Sequence, residues 1–212
     1  MRLYTYFRSS AAYRVRIALA LKGLDYDSVP VHLVKDGGQQ HQPAYLAINP
    51  QGLVPALETD DGALLTQSLA IIEYLDETHP TPPLLPADAL GRAQVRAMAQ
   101  VVACDIHPLN NSGVISRLRR EQGLDDAAVT RWMHHWMGRG FTALERLVSP
   151  QGAFCHGDSV TLADLYLVPQ MYNARRFNLD LTHFPRLVEI DARCRTLPAF
   201  QQAAPEKQPD WE

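Results

Sequence analysis

The sequence predicts two parts of different fold class, an α/β domain with a mixed four-stranded sheet and an all-helical bundle after it. Strand and helix patterns alternate over about the first 80 residues, and a proline-rich segment follows. From about residue 88, apolar residues recur at helical spacing almost without interruption. We therefore expect an α/β domain over residues 1–80, a linker over residues 81–87 and a helical domain over residues 88–212.

The first two elements are a strand and a helix. Residues 3–7 are aromatic and β-branched, which is typical of a strand. Residues 15–22 repeat apolar side chains at helical spacing, and Gly23 is a common helix stop. Arg8, Ser9 and Ser10 lie at the joint between the two elements.

The rest of this domain continues the alternation. Strands are predicted over residues 28–33, 54–59 and 63–65, and helices over residues 43–47 and 67–78. Asp61-Gly62 is typical of a two-residue hairpin turn, which can join only antiparallel strands. The sheet therefore cannot be all parallel.

The second half begins after a stiff segment, residues 79–86, that contains four prolines. Helices are predicted over residues 90–106, 112–122, 127–148, 162–177 and 185–196, with a break or kink at Pro108. Thr161 and Asp164 have the spacing of a capping box, so we interpret Asp164 as a residue that stabilises a helix start rather than a catalytic acid.

Composition and charge exclude several classes of partner. The 212 residues include 46% apolar and 20% charged residues and carry a net charge of −3, which argues against nucleic-acid binding. No apolar run reaches the roughly 18 residues that span a membrane, and no signal-peptide pattern is present. We expect a cytoplasmic protein with no nucleic-acid or membrane partner.

Cysteine and histidine patterns give no support to a disulfide or a metal site. Cys104, Cys155 and Cys194 are odd in number and form no Cys-x-x-Cys pair, so we expect all three to be small buried side chains. The eight histidines are scattered along the chain.

Two segments of the α/β domain suggest ligand contacts, each with a structural alternative. Val54-Pro55 begins a strand, where the proline is an ordinary edge residue or, with a cis bond, leaves the Val54 amide and carbonyl to pair with a peptide-like ligand. Thr66-Gln67-Ser68 opens a helix, whose free N–H groups can bind an anion, or else Ser68 is only a cap.

Five segments together resemble a known family. They are FRSSAAYRVRIALALKGLDY, LVKDGGQQ, NPQGLVPAL, TQSLAIIEYL and VTLADLYLVPQMYNARRFNLDL. In this order and spacing, over essentially the whole chain, they resemble the zeta class of glutathione transferases, the family of maleylacetoacetate and maleylpyruvate isomerases. The resemblance implies a thioredoxin-like N-terminal domain, a helical C-terminal domain, glutathione as cofactor and a homodimer.

The resemblance assigns the central catalytic role to Ser9. The glutathione thiol is mostly protonated near neutral pH, and a hydroxyl donor beside a helix N-terminus favours the thiolate. Ser9 would be that donor, and Ser10 and Ala11 would add backbone N–H groups. Many relatives carry a cysteine at the position of Ala11, so this departure argues against a mechanism that uses a protein thiol.

The resemblance also implies two arginines that bind a small dianionic keto-acid. Arg8 would hold one carboxylate and the charge that develops during the reaction, and Arg176 would hold the other carboxylate. Alternatively, Arg8, Arg175 and Arg176 are surface or dimer contacts. Arg175 lies about 100° around the helix from Arg176, so the two should not face the same way.

Further glutathione contacts follow from the resemblance, namely Gln40, Val54, Gln67, Ser68, His107 and Asn111. Val54 would pair through its backbone, and Gln67 with Ser68 would bind the γ-glutamyl carboxylate. Three roles stay open for His107: a contact with the glycine end of glutathione, a contact with a partner subunit, or a cap on a broken helix.

The implied function is glutathione-dependent cis–trans isomerisation of a maleyl keto-acid by reversible thiolate addition, in the degradation of aromatic compounds. Overall similarity favours maleylpyruvate slightly over maleylacetoacetate. Two other functions stay open, a transferase that releases stable glutathione conjugates and a non-catalytic glutathione-binding protein. Ser9 argues against the second, and paired arginines favour a dianion over a bulky apolar substrate.

Overall fold

The computed structural model describes all 212 residues and divides them into two compact units. The first comprises Met1–Pro83 together with Leu197–Glu212, and the second is Leu84–Thr196. The expected helical domain of residues 88–212 therefore needs correction at its end. Residues 197–212 group with the first unit because the helix over residues 198–203 packs against the helix over residues 10–22.

The elements occur in the predicted order. The strands are β1 (Arg2–Thr5), β2 (Asp27–Pro30), β3 (Ala56–Glu58) and β4 (Leu64–Thr66). The helices are α1 (Ser10–Lys22), α2 (Pro43–Leu46), α3 (Ser68–Thr78), α4 (Ala89–Gln100), α5 (His107–Asn110), α6 (Ser112–Gln122), α7 (Asp126–Leu147), α8 (Leu162–Arg176), α9 (Pro185–Cys194) and α10 (Pro198–Ala203). β1 ends before the predicted Phe7 because the Ser9 N–H donates to the Tyr6 carbonyl and closes a turn.

The sheet is mixed, as predicted, with the strand order β2-β1-β3-β4. β1 runs parallel to β2, whereas the β1–β3 and β3–β4 pairs are antiparallel. Thr5 pairs with Pro30, Tyr4 with Ala56, and Ala56 with Thr66. The ends of β1, β2 and β4 and the start of β3 therefore lie along one edge of the sheet.

The hydrophobic core of the first unit lies between the sheet and the helices that pack on it. α1 packs against both α3 and α10. Fully buried apolar side chains come from the sheet and from these helices: Leu3, Ile17, Leu19, Leu57, Ile71, Ile72 and Leu75. A second cluster lies nearer the edge and contains Tyr4, Tyr6, Phe7, Val31, Tyr45, Val54 and Ala56. The segments that follow β1 and precede β3 thus rest on packed aromatic side chains.

The capping box at the start of α8 is confirmed. Asp164 is fully buried, and its Oδ2 accepts from the Thr161 N–H at 2.8 Å. Its Oδ1 accepts from the Cys155 N–H at 2.8 Å. Burial raises the pKa of Asp164 against the opposing effect of these hydrogen bonds. Asp164 therefore serves as a buried hydrogen-bond acceptor in the helical unit. Its side chain has no access to solvent or to a substrate.

The predicted helix over residues 90–106 changes type before it ends. α4 is followed by a π-helix over Val101–Ile106, in which the His107 N–H reaches the Val102 carbonyl. Ile106 lies against Gly140 of α7 so closely that a Cβ at Gly140 would be 2.3 Å from the Ile106 side chain. Pro108, which has no N–H to continue an α-helical ladder, stands two residues after the end of the π-helix.

The prediction that all three cysteines are buried is wrong for one of them. Cys104 is exposed, because it lies on the outward side of the π-helix, and its thiol donates to the Gln100 side chain at 2.7 Å. Cys155 and Cys194 are buried, and burial raises the pKa of both thiols. None of the helices combines the length and the apolar character that a membrane span requires.

Candidate active site

Ser9 occupies the N-cap position of α1, immediately after the turn that ends β1. Its backbone is extended, and its Oγ accepts a hydrogen bond from the Ala12 N–H at 3.2 Å. An N-cap hydroxyl that accepts in this way keeps its own hydrogen for donation. Half-buried Ser9 can therefore donate to a ligand at the end of the sheet.

Ser10 and Ala11 are the first two residues of α1. Ser10 is buried and Ala11 is half-buried, and both lie in the first turn of α1. Backbone N–H groups of a first turn lack intrahelical acceptors, and the helix dipole places partial positive charge there. This end of α1 suits a negatively charged sulfur.

Arg8 lies in the same turn, held against aromatic side chains. Its Nη2 and Nε donate to the Tyr6 hydroxyl at 2.8 and 3.2 Å. Its guanidinium carbon lies 5.2 Å from the centre of the Phe7 ring. These contacts hold the guanidinium of Arg8, the residue that precedes Ser9 in sequence.

The loop after β2 carries Gln40. Its side chain is buried and lies against the Gly38 backbone so closely that a Cβ at Gly38 would be 2.5 Å from the Gln40 amide. Gly38 also has a φ of 95°, which a residue with a side chain rarely adopts. Gln40 Nε2 reaches the Leu33 carbonyl at 3.4 Å, while Gln40 Oε1 is buried and has no hydrogen-bond partner.

Val54 precedes β3 and is followed by a cis bond to Pro55. The Leu53 carbonyl, just before Val54, accepts from the Tyr45 hydroxyl at 2.6 Å and from the Asn49 side-chain amide at 2.7 Å. Neither backbone group of Val54 takes part in the hydrogen bonds of the turns and loops. An extended peptide could pair there.

The start of α3 supplies Gln67 and Ser68. Gln67 has a φ of 67°, and its Nε2 donates to the Gln51 side chain at 2.9 Å. Ser68 is buried, and its Oγ accepts from Arg14 Nη1 at 3.2 Å. The N-terminus of α3 and the buried Arg14 guanidinium both favour negative charge at this position, so it suits a carboxylate.

Arg14 and Arg16 are buried cations near the proposed site residues that sequence reasoning missed. Both are almost fully buried on α1. The available signal was the segment YRVRIALAL, in which two arginines interrupt a helix that is otherwise apolar on every side. A buried arginine needs acceptors, so each had to be tied to a specific neighbour.

The register of the sheet brings the first set of predicted residues together. Arg8 and Ser9 follow β1, Gln40 lies in the loop after β2, Val54 precedes β3, and Gln67 follows β4. These four connections lie at the same edge of the sheet. Arg8, Ser9, Val54 and Gln67 thus adjoin strand ends that lie at one edge of the sheet.

Three predicted residues belong to the second unit. His107 is half-buried and begins α5 directly after the π-helix. Asn111 caps α6: its Oδ1 accepts from the Val114 N–H at 2.9 Å and its Nδ2 donates to the Pro108 carbonyl at 2.8 Å. The Asn111 side chain is therefore already engaged in local structure.

Arg176 is the third predicted residue of the second unit. It faces a different direction from Arg175, as the helical spacing predicts. Arg175 Nη2 lies 2.5 Å from the fully buried Asp191 carboxylate. Arg176 is exposed, and its guanidinium lies 4.9 Å from the centre of the Phe177 ring. Arg175 thus stabilises the helical unit, whereas Arg176 presents charge to solvent.

Comparison with known proteins agrees with this geometry. Residues 3–83 match the model of the glutathione S-transferase N-terminal domain. The maleylacetoacetate isomerase of Pseudomonas aeruginosa is 55% identical over 210 residues, which cover 99% of this chain and 98% of that protein.

Solved structures give the same result. A holo structure of maleyl pyruvate isomerase, described as a bacterial zeta-class glutathione S-transferase, is 49% identical, with a TM-score of 0.96 and full coverage of both chains. The maleylacetoacetate isomerase of Anaeromyxobacter dehalogenans, solved with glutathione in its active site, is 48% identical with a TM-score of 0.89, over 100% of this chain and 97% of that one.

Proposed function

The chain belongs to the zeta class of the glutathione S-transferase family, and on that basis we propose that it is a glutathione-dependent isomerase of maleyl keto-acids. The substrate is maleylpyruvate or maleylacetoacetate, and the product is its fumaryl isomer. The observation that carries the proposal is the position of Ser9, whose Oγ caps α1 and whose hydroxyl hydrogen remains to be donated.

The residues at the edge of the sheet fit glutathione. A tripeptide offers a backbone that can pair with Val54, a carboxylate that suits Ser68 at the start of α3, and a donor group for the buried Gln40 Oε1. Arg14 adds positive charge beside the Ser68 hydroxyl. The site thus matches the chemistry of each part of the cofactor.

When bound, glutathione supplies the thiolate whose reversible addition to the carbon–carbon double bond permits rotation from cis to trans. The Ser9 hydroxyl and the first turn of α1 favour the ionised sulfur. Lowering a thiol pKa by two units requires roughly 2.7 kcal/mol of selective stabilisation. One hydrogen bond to an ion together with a helix end can provide that amount.

Two arginines hold the dianionic keto-acid in this proposal. Arg8 binds one carboxylate and stabilises negative charge that develops on the adjacent carbonyl oxygen, since its guanidinium is fixed beside Ser9. Arg176 binds the other carboxylate, which its exposure and the engagement of Arg175 with Asp191 support. His107 and Asn111 are proposed as weaker contributors to the glutathione site.

Turnover with each keto-acid tests the function. The protein is mixed with maleylpyruvate or maleylacetoacetate and a catalytic amount of glutathione, and the fumaryl product is followed. We expect many turnovers with no net loss of glutathione, and faster turnover of maleylpyruvate. Loss of glutathione in step with substrate would instead indicate stable conjugation, and no turnover would indicate a binding protein.

A homodimer in the cytoplasm completes the proposal. The family resemblance supports the dimer, and three unpaired cysteines are consistent with a reducing compartment. Analytical ultracentrifugation distinguishes a dimer from the 23.7 kDa monomer.

A further inference from the structure

Arg16 is a buried cation whose hydrogen bonds converge on the turn that carries Ser9. It is 1% exposed. Its Nη2 donates to the Phe7 carbonyl at 3.1 Å, and its Nη1 donates to the Tyr6 carbonyl at 3.3 Å and to Thr5 Oγ1 at 3.0 Å. The guanidinium therefore fixes the direction of two consecutive peptide groups just before Arg8 and Ser9.

The charge of Arg16 persists near neutral pH. Burial lowers its pKa to about 10, while Tyr26, Tyr13 and Asp210 oppose that shift. The guanidinium also lies 5.3 Å from the centre of the Tyr13 ring. A protonated arginine that cannot reach water must keep its acceptors, so the carbonyls of the turn are held in place.

Asp210 holds the same turn from the other end of the chain. Its Oδ2 accepts from the Phe7 N–H at 2.9 Å, across 203 positions of sequence. The segment around it is anchored to α1, since Arg16 Nε donates to the Ala203 carbonyl at 3.0 Å. Within the segment, Gln208 Nε2 donates to the Ala204 carbonyl at 2.9 Å. Asp210 therefore has a defined position rather than a mobile one.

These contacts act on the two peptide groups that flank Phe7. The N–H of Phe7 is bound by Asp210, and its carbonyl is bound by Arg16. The Tyr6 carbonyl also accepts from the Ser9 N–H at 3.0 Å, which closes the turn. A rotation of the peptide groups around Phe7 would move the Ser9 hydroxyl directly.

We propose that Asp210 and Arg16 are positioning residues for Ser9, so that one residue of the segment Leu197–Glu212, Asp210, serves the site of the first unit. The proposal rests on the function proposed above, because it assumes that Ser9 stabilises the glutathione thiolate. Displacement of a reacting group by about 1 Å can reduce the rate by about a hundredfold, so a lost contact at Phe7 should affect chemistry more than binding.

The test measures the pKa of the bound glutathione thiol by ultraviolet titration of the thiolate, together with the Kd for glutathione and kcat. In Asp210→Ala we expect the thiol pKa to rise by about half a unit or more and kcat to fall about tenfold, with the Kd nearly unchanged. Asp210→Asn retains an oxygen that can accept from Phe7, so we expect a smaller shift in the same direction.

Glu212→Gln is the matched control. Glu212 belongs to the same segment but is exposed and pairs with Lys35 and His32. We expect a wild-type thiol pKa in this variant. An equal shift in both variants would reduce the effect to general loosening of the segment and overturn the proposal.

The remaining outcomes separate this inference from the proposed function. A wild-type protein that does not lower the thiol pKa contradicts the role of Ser9 itself. A wild-type protein that lowers it, with Asp210→Ala unchanged, contradicts only the positioning role. If Asp210→Ala does not fold, Asp210→Asn decides, and an unshifted thiol pKa there overturns the inference.

Discussion

At the scale of single residues, the proposed function gives the Ser9 hydroxyl two tasks. Its oxygen accepts from the Ala12 N–H and so caps α1, and its hydrogen is proposed to bind the glutathione thiolate. A residue that caps a helix would in this way also favour the ionised form of a bound thiol.

Replacing Ser9 by alanine removes both the cap and the proposed donor. We expect Ser9→Ala to lower kcat about a hundredfold and to raise the pKa of the bound glutathione thiol, because an ion loses its hydrogen-bond donor. The Kd for glutathione should change little, since Val54, Gln67 and Ser68 are intact. Stopped-flow turnover and titration calorimetry measure these quantities, and an unchanged rate would remove Ser9 from the mechanism.

Arg176 and Arg175 provide a second contrast between neighbours. Arg176→Ala should raise the KM for the dianionic keto-acid about tenfold or more and leave the Kd for glutathione nearly unchanged. Arg175→Ala should instead lower the melting temperature, because Asp191 is fully buried and loses one of its two arginine partners. Equal losses of both affinities in Arg176→Ala would contradict a substrate role.

At the scale of elements, the capping box shows that a sequence motif can be assigned to structure rather than chemistry. Asp164 accepts from two buried backbone N–H groups, those of Cys155 and Thr161. It therefore joins the loop before α8 to the start of the helix.

Asp164→Ala should reduce the free energy of unfolding by roughly 2–4 kcal/mol, since two buried donors lose their acceptor. The urea midpoint at constant slope measures the change. Asp158→Ala is the control, because Asp158 is exposed and accepts only from the Ala153 N–H. A loss no larger than that of the control would contradict the structural role of Asp164.

Elements with strong local signals were predicted well. The antiparallel hairpin of β3 and β4 and the helical periodicity from residue 88 are encoded by neighbours in sequence. The hairpin loop has three residues, 60–62, rather than the predicted two, because Thr59 pairs with Ala63. The π-helix over Val101–Ile106 was not predictable, because an apolar pattern does not distinguish α from π hydrogen bonding. It depends on how Ile106 fits against Gly140, which is a contact between distant segments.

At the scale of the whole chain, residues 197–212 return to the first unit, which the sequence did not predict. A compositional break at residues 79–86 correctly marks one boundary, but nothing in the local pattern marks the second. Arg8 and Ser9 were predicted from the resemblance and Ser68 also from its place at a helix start, whereas Arg14, Arg16 and Asp210 bind partners distant in sequence. Contacts between residues so far apart in sequence produce no hydrophobic periodicity, so a single sequence does not predict them.

The return of residues 197–212 also sets an order of events during synthesis on the ribosome. The turn at Phe7 is translated first, but its N–H partner at Asp210 emerges only after all of Leu84–Thr196. At about 5–20 residues per second, that interval is on the order of ten seconds. A nascent chain therefore contains Ser9 long before Asp210 can bind the Phe7 N–H.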